Sequence, residues 1–205
     1  SKDLKRKGGK DRRISLLLLI LFSFLLSSLS LESATRRDRL SWRNNPATSA
    51  TIGFDHYKGS NVRLVYDTQD HGKNVAAYRF KATPSRNVNH AGMRNAFVRL
   101  TGLKPATFYY FLVVDSDGVS RRLKFETPHV NPNIPLSVIA GGDSRNNRQP
   151  ATAANLLVSK IRPHFVLFGG DMTNGDTAAE WQQWFDDWQL TISSDGRLTP
   201  IVPAR

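Results

Sequence analysis

Ile134-Pro135-Leu136-Ser137-Val138-Ile139-Ala140-Gly141-Gly142-Asp143-Ser144-Arg145 and, farther along, Phe165-Val166-Leu167-Phe168-Gly169-Gly170-Asp171-Met172-Thr173-Asn174 are built alike. Each is a short apolar run of strand length that ends in Gly-Gly-Asp. Open α/β sheets present their ligand-binding groups at the carboxyl ends of strands, and glycines there let backbone and ligand approach closely. A carboxylate delivered to that end twice in succession reads as a cradle for metal, with Asp143 and Asp171 as the candidate ligands.

The segments around these runs alternate between helical and extended texture. Residues 134–140 read as a strand. A helix then follows, with Pro150 suited to its first position, Ala153, Leu157 and Ile161 on one face and Pro163 closing it. Residues 165–168 form the second strand. Thr177-Ala178-Ala179-Glu180 is a capping box opening a second helix. Trp181, Trp184, Phe185 and Trp188 follow at helical spacing, as a face packed on a sheet would place them. Residues 198–202 would be a third strand, giving a parallel β-α-β-α-β unit over residues 135–205.

Upstream the texture is all β. Apolar and β-branched runs recur at residues 50–54, 62–66, 77–80, 96–100, 107–114 and 121–127, separated by turns rich in Asp, Gly, Asn and Pro. Asp115-Ser116-Asp117-Gly118 has hairpin composition. About seven short strands at this spacing describe a β-sandwich of immunoglobulin type. Trp42 is a candidate for its core, and residues 36–39 read as a short charged linker before it. In Leu103-Lys104-Pro105-Ala106-Thr107-Phe108-Tyr109 the Leu-x-Pro-x-Thr-x-Tyr pattern resembles the fibronectin type III fold, in which the tyrosine bonds back to the preceding loop. Phe125-Glu126-Thr127-Pro128 resembles that module's closing strand, so the resemblance spans residues 38–128.

Composition narrows the chemistry. The chain has 205 residues and no cysteine, which excludes disulfides, thiolate metal sites and cysteine nucleophiles and leaves oxygen or imidazole as metal ligands. Residues 1–13 hold seven basic and two acidic side chains, a net +5 of the formal +12. A basic surface attracts phosphate-bearing substrates, but no aromatic-basic motif of a nucleic-acid reader is present and no specific nucleic-acid partner is expected. Residues 14–31 are an uncharged run of Ile, Leu, Phe and Ser. Basic flank, apolar run and small residues after it describe residues 1–34 as an export signal or, if uncleaved, an anchor that is the chain's only contact with membrane. The working protein is expected outside the cytoplasm. The chain begins with Ser1 and stops at Arg205 with a strand barely finished, and so reads as a fragment of a longer product.

A fibronectin-like module joined to β–Gly-Asp–α–β–Gly-Asp–α–β resembles the purple acid phosphatase branch of the calcineurin-like metallophosphoesterases. The resemblance implies the first half of the family's α/β sandwich and two metal ions, iron, zinc or manganese, with Asp143 binding one and Asp171 bridging both. It implies hydrolysis of phosphate esters by metal-activated water. The family's next motif, Gly-Asn-His, and the remaining ligands and catalytic histidine would fall beyond Arg205, so the 205-residue chain alone is expected to be inactive. Two departures stand out. Arg145 occupies the position where many members have histidine; as a cation it cannot ligate, and it is instead a candidate to hold the substrate phosphate by a forked hydrogen bond. Asn174 stands where purple acid phosphatases have tyrosine, and is a turn residue or a further metal-ligand candidate. None of His56, His71, His90, His129 and His164 is spaced to ligate beside the two aspartates. The competing reading is a non-catalytic surface-binding module with a degenerate phosphoesterase segment.

Overall fold

A computed structural model describes residues 32–204. The expected leader lies almost wholly outside them. Among the described residues, no helix is long and apolar enough to cross a membrane.

Eight strands make the sandwich: β1 (Thr35–Ser41), β2 (Ser49–His56), β3 (Arg63–Asp67), β4 (Phe80–Ala82), β5 (Arg86–His90), β6 (Met93–Thr101), β7 (Phe108–Val114) and β8 (Leu123–Glu126). They form two antiparallel sheets in the orders β1-β2-β6-β5 and β4-β3-β7-β8. Alternation explains the packing. Ile52 and Phe54 on β2, Ala96, Val98 and Leu100 on β6, and Tyr109, Phe111 and Val113 on β7 point inward and meet Leu64, Leu123 and Phe125 in one core. Tyr109 makes the anticipated corner: its hydroxyl accepts the Lys104 N–H at 2.8 Å. The Asp115 turn also forms as expected, with Asp115 Oδ1 accepting the N–H groups of Asp117 and Gly118.

Four expectations are corrected here. Residues 36–39 are no linker but the middle of β1, with Arg37, Asp38 and Arg39 buried. Long arginine stems can lie across a sheet while their heads find partners, so a charged run need not be a solvated one. Ala77 ends a 3-10 turn over Val75–Ala77, Tyr78 and Arg79 belong to no strand, and the strand anticipated at residues 77–80 begins only at Phe80. β5, Arg-Asn-Val-Asn-His, was not anticipated because it has no apolar alternation; it is an exposed edge strand held by backbone pairing to β6. Trp42 is half-buried and lies outside the sandwich core, its ring 5.5 Å edge-on from Phe165.

Beyond the sandwich come β9 (Val138–Gly141), α1 (Arg148–Ile161), β10 (Phe165–Phe168), α2 (Ala178–Trp188) and β11 (Ile201–Pro203). The three strands pair in parallel in the order β11-β10-β9, with Phe168 beside both Gly141 and Pro203. Ile139, Val166, Phe168 and Ile201 pack against Val158 of α1 and Trp184 and Trp188 of α2, so the aromatic stripe is core as expected. The capping box forms: Thr177 Oγ1 accepts the Glu180 N–H, and Glu180 Oε2 accepts the Thr177 N–H. The expected face of α1 is corrected. Ala153, Leu157 and Ile161 are exposed, Leu157 by 54%, and the helix instead turns Val158 and Asn155 inward, Asn155 Nδ2 donating to Asp187 O. Pro150 is its third residue, still within the first turn whose N–H groups lack helical partners.

The parallel layer rests on the sandwich through β1. Arg37 donates to Asp186 of α2 through Nε (2.7 Å) and Nη2 (2.9 Å). The Arg39 guanidinium lies between Phe97 of β6 and Phe185 of α2, 5.1 and 4.5 Å from the ring centres. A parallel bridge joins Leu40 to Pro200.

Candidate metal centre

Because β9 and β10 are parallel neighbours in register at Gly141 and Phe168, the loops that follow them leave the same edge of the sheet side by side. Their backbones interlock. The Asp143 N–H donates to Gly170 O and the Arg145 N–H to Asp171 O, both at 2.9 Å. This contact is why glycine is needed: a Cβ on Gly142 would lie 2.8 Å from Gly169 N and 3.0 Å from its Cα, closer than backbone atoms tolerate. Asp143 (φ 54°) and Asp171 (φ 52°) both adopt left-handed backbone, a region in which Asp is over-represented among non-glycine residues.

The two carboxylates converge on one group. Arg145 Nε lies 2.6 Å from Asp143 Oδ1, an ion-pair contact, and donates to Asp171 Oδ2 at 3.1 Å, while Nη2 donates to the same Asp171 oxygen at 2.7 Å. A single guanidinium therefore spans both aspartates. All three side chains are more than half exposed. Arg145's pKa is raised above its ordinary value, first by the hydrogen bond to Asp171 and then by the charge of Asp143. Its cationic state is secure.

Residues that the sequence did not single out hold this arrangement together. Ser144 Oγ accepts from Trp184 Nε1 at 3.2 Å and donates to Met172 O, tying the first loop to α2 and to the second loop. Asn146 Oδ1 accepts the Asn174 N–H at 3.0 Å, and its Nδ2 donates to Glu180 O. Small polar residues beside a Gly-Asp pair were the only signal for either. Asn174 takes part through its backbone, in the turn after Asp171. Glu180 accepts from Gly175 as well as Thr177, so the capping carboxylate also pins the loop that carries Asp171. Its pKa is lowered, first by the Thr177 backbone bond.

His164 sits at the other end of the sheet, where its Nδ1 accepts the Ser137 N–H at 2.9 Å ahead of β9. His56 pairs with Asp115 and His71 with Asp67, both in the sandwich. Among the described residues no three His, Asp or Glu side chains gather as a metal cluster. What Asp143 and Asp171 offer is a two-carboxylate, oxygen-only donor set around a point that one cation already reaches, a donor type that suits hard divalent cations. A cavity of about 330 Å³ lies beneath the first loop, floored by Phe168, Trp184 and Trp188 and bordered by Asp143 and Ser144.

Comparison of the sequence with family models and with curated proteins finds no match. Comparison of the structure does. A purple acid phosphatase, PPD1, from yellow lupin (Lupinus luteus) seeds superposes with a TM-score of 0.65 at 13% identity over 84% of this chain. PhoD superposes with a TM-score of 0.58 at 12% identity over 86% of this chain. The chain spans 35% and 39% of the lengths of those two structures. In fold, the sandwich with its parallel layer is thus similar to purple acid phosphatase and to PhoD, the phosphoesterase-like resemblance first carried by the two Gly-Asp strand ends.

Proposed function

We propose that this chain is part of an exported, metal-dependent phosphoester hydrolase, in which Asp143 and Asp171 hold metal, Arg145 holds the substrate phosphate and the sandwich is an appendage beside the substrate entrance. The observation that supports this best is the convergence of the two carboxylates, from adjacent strand ends, on one guanidinium. Any cation centred there meets oxygens from both.

The two residues have different tasks in this reading. By the purple acid phosphatase resemblance Asp143 is the terminal ligand and Asp171 the shared one; two metal ions held about 3.5–4 Å apart need such an anion between them. Two bound metals would supply an activated water nucleophile and charge neutralisation on the phosphoryl oxygens. Arg145, two residues from one ligand and hydrogen-bonded through its backbone to the other, is within a side-chain length of any phosphate drawn to the cradle, and its planar fork suits two phosphate oxygens. Ser144 and Asn146 fix the loops so that the carboxylates need not reorganise when a ligand arrives. Export rests on the composition of the leader, and iron, zinc or manganese on the purple acid phosphatase resemblance.

Calorimetric titration of Mn²⁺ into the 205-residue chain tests the proposal. Binding is expected in the wild type and lost in both Asp143→Asn and Asp171→Asn. Turnover of a phosphomonoester by this chain is expected to be absent, since two carboxylates do not fill two coordination spheres. No Mn²⁺ binding would favour the non-catalytic surface module instead.

A further inference from the structure

The cradle formed by Asp143 and Asp171 is bridged by a cation of the chain's own. Two carboxylates set side by side at a sheet edge repel one another, and the Arg145 guanidinium between them relieves that repulsion. Yet Asp143 Oδ1 and Asp171 Oδ2 already face Arg145, at 2.6 and 2.7 Å. Lone pairs committed to a guanidinium are not free for a metal, and a guanidinium within hydrogen-bond distance of a divalent cation is repelled by it.

We propose that Arg145 is the internal counter-ion of the metal-free cradle, displaced when metal binds, and that only the displaced guanidinium is free to take a phosphate. Metal loading thereby arms the phosphate clamp, and the two ligands bind in an obligatory order, metal first. The proposal rests on the reading of Asp143 and Asp171 as metal ligands and adds to it a regulation of the same site.

The construction of the loop fits an exchange of partners. Arg145's backbone is tethered, its N–H donating to Asp171 O at 2.9 Å, so the residue stays at the cradle whichever partner its side chain holds. That side chain is 56% exposed, with open solvent to swing into. Exposed ion pairs are weak enough to be exchanged by a competing charge, unlike buried ones. Arg37 supplies the contrast within the same chain: it is 4% exposed and bonded to Asp55 and Asp186, an arrangement built to stay closed.

Two measurements on the 205-residue chain test this. In the first, Mn²⁺ and then inorganic phosphate are titrated into wild type, Arg145→Ala and Arg145→Lys. Removing the internal competitor should tighten Mn²⁺ binding about three- to tenfold in Arg145→Ala, the scale set by one or two exposed ion pairs, with Arg145→Lys close to wild type. Phosphate should bind the Mn²⁺-loaded wild type, fail to bind the metal-free wild type, and bind loaded Arg145→Ala about tenfold or more weakly than loaded wild type. Unchanged or weaker Mn²⁺ binding in Arg145→Ala overturns the proposal, as does phosphate binding without metal. In the second, the Arg145 Nε–H resonance is followed by NMR. It should be protected from solvent exchange in the metal-free wild type and lose protection in Asp171→Asn and on adding Zn²⁺. A resonance indifferent to Asp171→Asn overturns the counter-ion while leaving the metal reading intact. Failure of wild type and Arg145→Ala alike to bind Mn²⁺ overturns both.

Discussion

The sandwich and the parallel layer bury their apolar residues very differently. Inside the sandwich, Phe54, Phe111 and Leu123 are completely enclosed and the two sheets cover one another. The three-stranded sheet is covered well on one face only: Ile139, Val166 and Ile201 meet the helices, whereas on the opposite face Trp42 touches Phe165 but Val138 and Leu167 are 40% and 43% exposed. Parallel strands are ordinarily buried on both faces, and β9 and β10 have the continuously apolar sequence that goes with it. Among the described residues Trp42 on Phe165 covers only part of that second face. Helix α1 repeats the pattern, with Val158 inside and Leu156, Leu157 and Ile161 outside. The free energy that holds the described chain together is therefore concentrated in the sandwich, while the carboxylates sit on the layer that contributes least.

The widest separation of the two regions should come from truncating an apolar side chain in each. Phe111→Ala should cost about 3–5 kcal/mol of unfolding free energy, and Leu167→Ala, on the partly covered face, less than about 0.5 kcal/mol, both read by chemical denaturation. Equal costs would erase the distinction. An intermediate effect is expected at Gly142→Ala. The added methyl meets Gly169 backbone at 2.8 Å, and pushing the two loops apart should cost about 1–3 kcal/mol and weaken Mn²⁺ binding even though neither carboxylate is altered.

The smallest effect concerns the seam between the regions. Asp195 is partly buried, which by itself would push its pKa up, but hydrogen bonds from Lys124 of β8 (2.8 Å) and from Arg162 after α1 hold it at about 2, below the ordinary 3.8. A depressed carboxylate stabilises above its unfolded pKa and loses that contribution as pH falls through the folded one. Comparing Asp195→Asn with wild type should show a deficit of about 1 kcal/mol at pH 6, reduced by solvent screening at this partly exposed site. The deficit should disappear between pH 4 and pH 2. A gap that persists at pH 2 would mean that Asp195 acts through packing.

Local chemistry explains what was legible beforehand. The Tyr109 corner, the Asp115 turn, the Thr177 capping box and the placement of Asp143 and Asp171 after strands each depend on residues a few positions apart, so spacing alone discloses them. The strand β5 was illegible because an edge strand held by backbone hydrogen bonds needs no apolar code. Arg37 and Arg39 were misread for the opposite reason: their charge argued for solvent, while partners distant in sequence, Asp186 and Phe185, made burial favourable.

Sequence alone determined that this chain has a β-sandwich followed by alternating strands and helices, and that two aspartates end two apolar strands, since turn chemistry and hydrophobic period act over a few residues. Only the tertiary structure decided that α1 turns Val158 rather than Leu157 inward, that Trp42 meets Phe165, and that Arg145 bridges both carboxylates. Those outcomes depend on which surfaces the folded chain brings within a few ångströms of each other, and no local pattern encodes that distance.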